Sequence, residues 1–389
     1  MTAAIIITFC LLLLIAYVSD LTSSRTKIPS VILLLLLGWF VRQLSVWFEI
    51  QLPDFSPILP VLWTIGLILI VLEGSLELEL NDSKFGLIRK SFLGALMPML
   101  ALAFLLAIAF NHFGNFGFKD SLTNAIPFCV ISSAIAIPSV RNLAKNKKEF
   151  VIYESSFSDI LGVLLFNFLI LNEIINVASF GNFALQLIII TVLSLIATIG
   201  LSFLLSKIEH HIKFVPIILL VVLIYEFSKV YHLPGLIFIM IFGLSIGNLD
   251  ELRKFQWIEK FKLDELNKEV HKFKELTIEA AFLVRALFFI LFGYLIETSE
   301  VLNADTFYWA LAIVSGIFTI RAVQLKLTKF PLQPLLFIAP RGLITILLFL
   351  SIEPTHTIPL VNNSLIIQVI ILTALMMMIG LMTNKPQKQ

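Results

Sequence analysis

Residues 183–205 read FALQLIIITVLSLIATIGLSFLL, twenty-three positions without one charged side chain. At ~1.5 Å rise per residue, a helix of this length covers about 35 Å, enough to cross a hydrocarbon core of about 30 Å. A soluble helix as long would carry a polar face, whereas here the serines, threonines and single glutamine are scattered among Leu, Ile and Phe. The stretch reads as a membrane span, and the rest of the chain follows from it.

The 389 residues are 59% apolar and 14% charged, against about 45–50% and about 25% in soluble domains. Outward from 183–205, apolar segments occur at 3–18, 28–41, 60–78, 91–110, 122–138 and 150–171 before it. After it come 214–231, 234–247, 276–296, 306–320, 334–352 and 364–382. The first has no basic flank and no small-residue cleavage site, so it reads as a span rather than a signal peptide. The expected fold is therefore an all-α polytopic membrane protein of about thirteen transmembrane helices. At ~20 residues each, they use about 260 positions and leave about 130 for loops and ends, too few for a separate catalytic domain. Cys10 and Cys129 both sit in apolar runs, so no disulfide framework or thiolate metal site is expected.

The basic residues orient the chain, because short cytoplasmic loops collect Lys and Arg. Of the 28, 23 fall in the loops after segments 1, 3, 5, 7, 9 and 11 and in the tail, leaving Arg42, Lys119, Lys229, Arg285 and Arg341. This places the N-terminus outside and the C-terminus in the cytoplasm, in a multi-pass protein of the cell inner membrane. The longest gap, 250–275, has seven acidic and seven basic residues interleaved with Phe255, Trp257, Phe261, Leu266 and Phe273. It reads as an amphipathic helix against membrane lipid, with a solvated linker as the plainer alternative.

Two segments are interrupted alike. The fifth runs through Ser132 and Ser133 to Pro138, and the twelfth carries Pro340, Arg341 and Gly342 at mid-length. Seven segments separate them, an odd number, so their surroundings cross the membrane in opposite senses. That is the pattern of inverted repeats with discontinuous helices 5 and 12, whose freed backbone groups serve an ion near the midplane.

Ionisable side chains inside spans are costly and are functional candidates by default. The deep ones are Glu73, Glu154, Asp159, Arg285 and Arg341. Helical spacing aligns Ser155, Ser158, Asp159 and Gly162. A hard cation such as sodium needs a shell of oxygens, which this stripe supplies, with Gly162 leaving room for an ion or a neighbouring helix. Ser133, Ala136 and Ile137 in the broken fifth segment are candidate backbone ligands. A buried Asp held in an interhelical hydrogen bond is the plainer reading of Asp159. Arg341 stays protonated and needs an anion, for which Glu73 is the expected partner in a structural ion pair. All six histidines lie outside the segments, which removes a buried Ser–His pair or a His-Glu-x-x-His zinc site. An enzyme, a cofactor and a nucleic-acid partner are not expected. A cation channel, or a transporter of another solute, stays open, although no carbonyl-filter motif is present.

Several stretches resemble a known family. Leu72-Glu73-Gly74-Ser75-Leu76-Glu77-Leu78, Glu154 to Val163 with its Glu-Ser pair ahead of Ser158-Asp159, Ala339-Pro340-Arg341-Gly342, Phe288 to Gly293, and Ile28-Pro29 with Gly38 are similar, in order, to motifs of NhaP-type sodium/proton antiporters of the monovalent cation:proton antiporter superfamily. The resemblance implies exchange of sodium, or of potassium or lithium, for protons by a homodimer. It implies interface helices at 1–78, 183–275 and 276–296, a mobile core at 91–171 and 306–382, and a tail at 383–389. Asp159 matches the ion- and proton-carrying carboxylate, Glu154 and Ser155 accessory ligands, and Glu73 with Arg341 a buried pair. Ser158 stands where the family has Asn, and Ala136-Ile137-Pro138 where it has Thr-Asp-Pro, so the cation stays open.

Overall fold

A computed structural model describes residues 2–26, 28–49, 58–78, 84–140, 143–207, 213–231, 233–249 and 263–383, with no strand among them. The α-helices are α1 (Thr2–Thr26), α2 (Ser30–Trp47), α3 (Leu59–Glu77), α4 (Phe85–Gly114), α5 (Phe118–Ala125), α6 (Ser133–Ser139), α7 (Lys145–Leu171) and α8 (Val177–Lys207). They continue as α9 (Phe214–Val230), α10 (Gly235–Gly247), α11 (Leu263–Leu295), α12 (Thr298–Val301), α13 (Ala304–Leu327), α14 (Leu343–Leu350) and α15 (Asn363–Thr383). Short 3-10 turns occupy Ile126–Phe128 and Leu335–Phe337. Among the described residues, nine helical stretches are long and apolar enough to cross a membrane, and Ile7–Thr22 and Gly235–Gly247 are shorter apolar helices.

The fifth and twelfth segments are discontinuous as expected. The fifth is α5, a 3-10 turn, an unwound stretch and α6, and the twelfth is a 3-10 turn, an unwound stretch and α14. Two boundaries differ from the sequence reading. Residues 263–275 are not a separate surface helix, because α11 runs through them unbroken to Leu295; residues 250–262 of the expected amphipathic segment lie outside the described residues. The reason is the apolar stripe. Leu266, Val270 and Phe273 are buried in protein, and the Phe273 ring sits 6.2 Å from those of Phe214 and Phe242. The eleventh span also continues past residue 320 to Leu327, which draws Arg321 out of the cytoplasmic loop and into a helix. His112 and His271, expected in loops, lie in α4 and α11.

The chain divides into two compact units. One comprises Met1–Thr64, Lys90–Gly162 and Leu283–Gln389, and so contains both interrupted segments. Within it α2 and the second half of α11 approach through two glycines. A Cβ on Gly38 would lie 2.0 Å from Ile290 O, and one on Gly293 2.3 Å from Leu35 O. Arg42 closes the end of α11, its Nη1 donating to Leu295 O (3.1 Å) and Ile296 O (3.2 Å), where a cation complements the helix dipole. Asn124, fully buried, donates to Asp120 O (2.8 Å) and His356 O (2.7 Å) and so fastens the loop after α14 to α5.

The other unit comprises Ile65–Arg89 and Val163–Phe282. Here α8 packs on α10, and Asn248 Nδ2 donates to Leu78 O and Leu244 O, both at 2.8 Å. Lys213 Nζ stands 2.6 Å from Glu269 Oε2. Glu73 is half-buried on α3 in this unit.

Candidate functional site

Helix interruptions leave backbone N–H and C=O groups without intrahelical partners, and in hydrocarbon each must find one inside the protein. Pro127 cannot donate, and α5 gives way to a 3-10 turn at Ile126–Phe128. In the twelfth segment Pro340 plays the same part. The two unwound stretches then bond to each other, Ser132 N donating to Pro340 O at 2.9 Å.

The remaining freed groups are met by side chains. From α7, Ser158 Oγ accepts from Ile131 N at 2.9 Å, and Asp159 Oδ2 accepts from Ser133 N at 3.2 Å. The Ser133 hydroxyl donates to the same Asp159 oxygen. Arg341 Nε donates to Phe128 O (2.7 Å), Nη1 to Ala339 O (2.9 Å), and its backbone N to Thr373 Oγ1 (3.1 Å). A carboxylate thus meets the N-terminus of α6 and a guanidinium the carbonyl end of the α5 half. These are the signs the two backbone ends favour.

Asp159 is 3% exposed and lies near the middle of α7. Its second oxygen, Oδ1, is buried and, like Ser132 Oγ and Ser156 Oγ, has no hydrogen-bond partner among the described residues. An ionised carboxylate so placed lacks half the partners it would have in water. It has one oxygen fixed by the fold and one left to bind.

Glu154, five residues earlier on α7, is otherwise engaged. Its Oε2 lies 2.9 Å from Arg321 Nη2 and its Oε1 accepts from Gln324 Nε2 at 3.1 Å. Arg321 Nε in turn holds Leu335 O at 2.7 Å.

A family model described as "Sodium/hydrogen exchanger, transmembrane" matches residues 10–385. The chain belongs to the sodium/hydrogen exchanger family. Two structures of the sodium proton antiporter MjNhaP1 from Methanocaldococcus jannaschii, one at pH 8 and one an electron-microscopy map, share its fold. Each has a TM-score of 0.67 and covers 97% of this chain and 95% of its own, at 18% and 19% identity. No curated protein matches by sequence. Family and fold are those of transporters rather than enzymes, in a multi-pass membrane protein.

In this exchanger the expected site residues separate into groups. Asp159, Ser158 and Ser133 come together at the break in the fifth span. Ser155 directs its hydroxyl hydrogen to Val151 O (2.8 Å) in its own helix. Ala136 N and Ile137 O bond within α6 and its end, to Ser132 O (2.9 Å) and from Val140 N (3.3 Å). Of the two roles expected for Gly162, it leaves room for a neighbouring segment: a Cβ there would lie 2.2 Å from Val130 Cγ2 in the unwound part of the fifth span. The Arg341 guanidinium is held by backbone carbonyls of its own unit. The arginine bound to a buried carboxylate in this unit is Arg321, with Glu154 as its partner.

Arg321 and Gln324 were missed because a charge after residue 320 reads as a cytoplasmic loop. The available signal was periodicity. Ala310, Ile313, Ile317, Arg321 and Gln324 are all buried, at spacings of three and four, so the inward stripe of α13 runs on through the arginine.

Proposed function

We propose that this exchanger trades a monovalent cation, sodium first with potassium or lithium as variants, for a proton at Asp159, by alternating access and without net charge movement. The observation that carries the reading is Asp159 Oδ1, a buried carboxylate oxygen with no hydrogen-bond partner among the described residues. Holding an ion in a low-dielectric interior costs several kcal/mol, and the carboxylate is relieved equally by a proton or by a cation. The two are then mutually exclusive occupants of one oxygen. Ser132 Oγ is a second unpartnered oxygen at the same break, and Ser155 and Ser158 keep lone pairs on the same face of α7.

Glu154 is better read as a fixed structural charge than as a second carrier, since Arg321 and Gln324 occupy both its oxygens. The mobile part is the pair of repeats at 91–171 and 306–382, moving past interface helices that also form a homodimer. Support for the two breaks moving together comes from the Ser132–Pro340 bond that joins them. The N-terminus faces outward and the C-terminus the cytoplasm, in the inner membrane. Removing Arg321 from the cytoplasmic tally leaves 22 of 28 basic residues on that side, and the asymmetry stands.

The test is cation-dependent dequenching of a pH dye in proteoliposomes with voltage clamped by valinomycin, scanning sodium, potassium and lithium. Parent protein should respond to at least one cation. Asp159→Asn keeps the side-chain volume and removes the charge, so it should fold and show no exchange. Exchange near the parent rate in purified Asp159→Asn would refute the reading.

A further inference from the structure

The first unit holds a partly open cavity of about 20 Å3 bounded by Arg321, Arg341, Ser158 and Cys129, with Met99 and Leu102 among its apolar walls. That volume admits one water or one monatomic ion. Its polar lining is almost entirely made of donors. Arg321 uses Nε and Nη2 on Leu335 O and Glu154, and Arg341 uses Nε and Nη1 on Phe128 O and Ala339 O. Nη1 of Arg321 and Nη2 of Arg341 have no hydrogen-bond partner among the described residues, and both side chains are 3% exposed. Ser158 Oγ accepts from Ile131 N, which leaves its own hydrogen to donate. The Cys129 thiol is bonded to Ala125 O.

Two guanidinium groups repel a cation from this space, which adjoins the Asp159 site through Ser158. A water fits the lining poorly, because its hydrogens would face donors, with one Ser158 lone pair as the strong acceptor. An anion, which only accepts, fits it well. The charges agree: a single carboxylate, Glu154, serves two guanidinium groups, bonded to Arg321 while Arg341 is bonded to carbonyl oxygens. Two buried cations with one counter-ion between them are a costly arrangement.

We propose that this cavity binds a monovalent monatomic anion of chloride size, held between Arg321 Nη1, Arg341 Nη2 and the Ser158 hydroxyl. Polyatomic anions such as sulfate, phosphate and carboxylates exceed its volume, and the Met and Leu walls suit a weakly hydrated, polarisable halide. The anion supplies a second negative charge where two guanidinium groups share Glu154. The proposal concerns an anion site that shares only Ser158 with the cation-exchange reading.

The experiment uses the purified full-length protein in detergent, with sodium and ionic strength fixed and the anion varied among chloride, bromide, sulfate and gluconate. The thermal midpoint should rise saturably with chloride and bromide and stay flat with sulfate and gluconate. Chloride-35 line broadening should appear in parallel and be reversed by bromide but not by sulfate. Arg341→Gln should remove both responses. If that variant yields no folded protein, Ala95→Val, which adds bulk to the cavity wall, should remove them instead. Equal midpoints in all four anions overturn the proposal and leave the cavity to water. So does a halide response that survives the folded variant, since the anion then binds elsewhere. No readout depends on transport, so failure here and failure of cation exchange are separate results.

Discussion

Arg321 Nη2 stands 2.9 Å from Glu154 Oε2, with the two side chains 3% and 1% exposed. The pair joins α13 to α7 one and a half turns before Asp159, and Gln324 Nε2 adds a bond to the other Glu154 oxygen. Removing one partner of a buried pair strands the other charge, at a cost of ~3–5 kcal/mol in soluble proteins. Glu154→Gln and Arg321→Gln should each lower the thermal midpoint in detergent. The double change Glu154→Met with Arg321→Met should recover most of the loss. Single variants as heat-stable as the parent would show that the pair does not hold α7 and α13 together.

Ser158 Oγ is the acceptor for Ile131 N in the unwound part of the fifth span. Ser158→Ala leaves a buried amide without a partner, a penalty of ~1–3 kcal/mol. Ser158→Thr keeps the oxygen. The alanine variant should lose thermal stability and the threonine variant should retain more of it, measured by the same melts. Equal losses in both would point to packing rather than to the hydrogen bond.

The spans were legible because uncharged runs of twenty residues have one physical explanation, and the twelfth-span break because Pro340-Arg341-Gly342 cannot continue a helix in register; in the fifth span Pro138 sits inside α6 and the break follows Pro127 instead. Asp159 was legible as a carboxylate placed where charge is expensive. The partners of the arginines were not. Arg341 looked as though it needed a carboxylate, but freed carbonyls at Phe128 and Ala339 solvate a guanidinium equally well, and no one-dimensional pattern reveals which carbonyls a break will release. Arg321 was hidden for a related reason: a charge at a helix end is ordinarily cytoplasmic, and only the buried stripe through Gln324 marks this one as internal. Residues 263–275 misled because an amphipathic pattern is the same whether its apolar face meets lipid or, as with Phe273, other phenylalanines.

Gly38 and Gly293 face each other's helices across α2 and α11, each with a backbone oxygen where a Cβ would stand, at 2.0 Å and 2.3 Å. Backbone cannot move aside as a flexible side chain can, so Gly38→Ala or Gly293→Ala must separate the helices. Either should sharply reduce the yield of folded protein on gel filtration. Gly200→Ala is the control: it sits in α8 with nothing within 4 Å of its added Cβ. There the change should be neutral or slightly stabilising, by up to ~1 kcal/mol from helix propensity. Normal yield from both Gly38→Ala and Gly293→Ala would mean that the close approach is dispensable.

The charge moved per cycle follows from how the carboxylates are partnered. The residue before Asp159 is Ser158, which does not titrate, and Glu154 has both oxygens engaged by Arg321 and Gln324. In the proposed cycle one carboxylate holds one monovalent cation or one proton, and both half-cycles translocate the same charge. A membrane potential acts on net charge at ~2.3 kcal/mol per unit per 100 mV, so at equal pH it has nothing to act on. Proteoliposomes at symmetric pH with an imposed potassium–valinomycin potential should therefore accumulate no sodium beyond the control without protein. Accumulation that grows with the potential would mean that a second proton travels with each cycle. Glu154 is the residue to suspect, and Glu154→Gln should then abolish the voltage dependence while sparing exchange driven by pH.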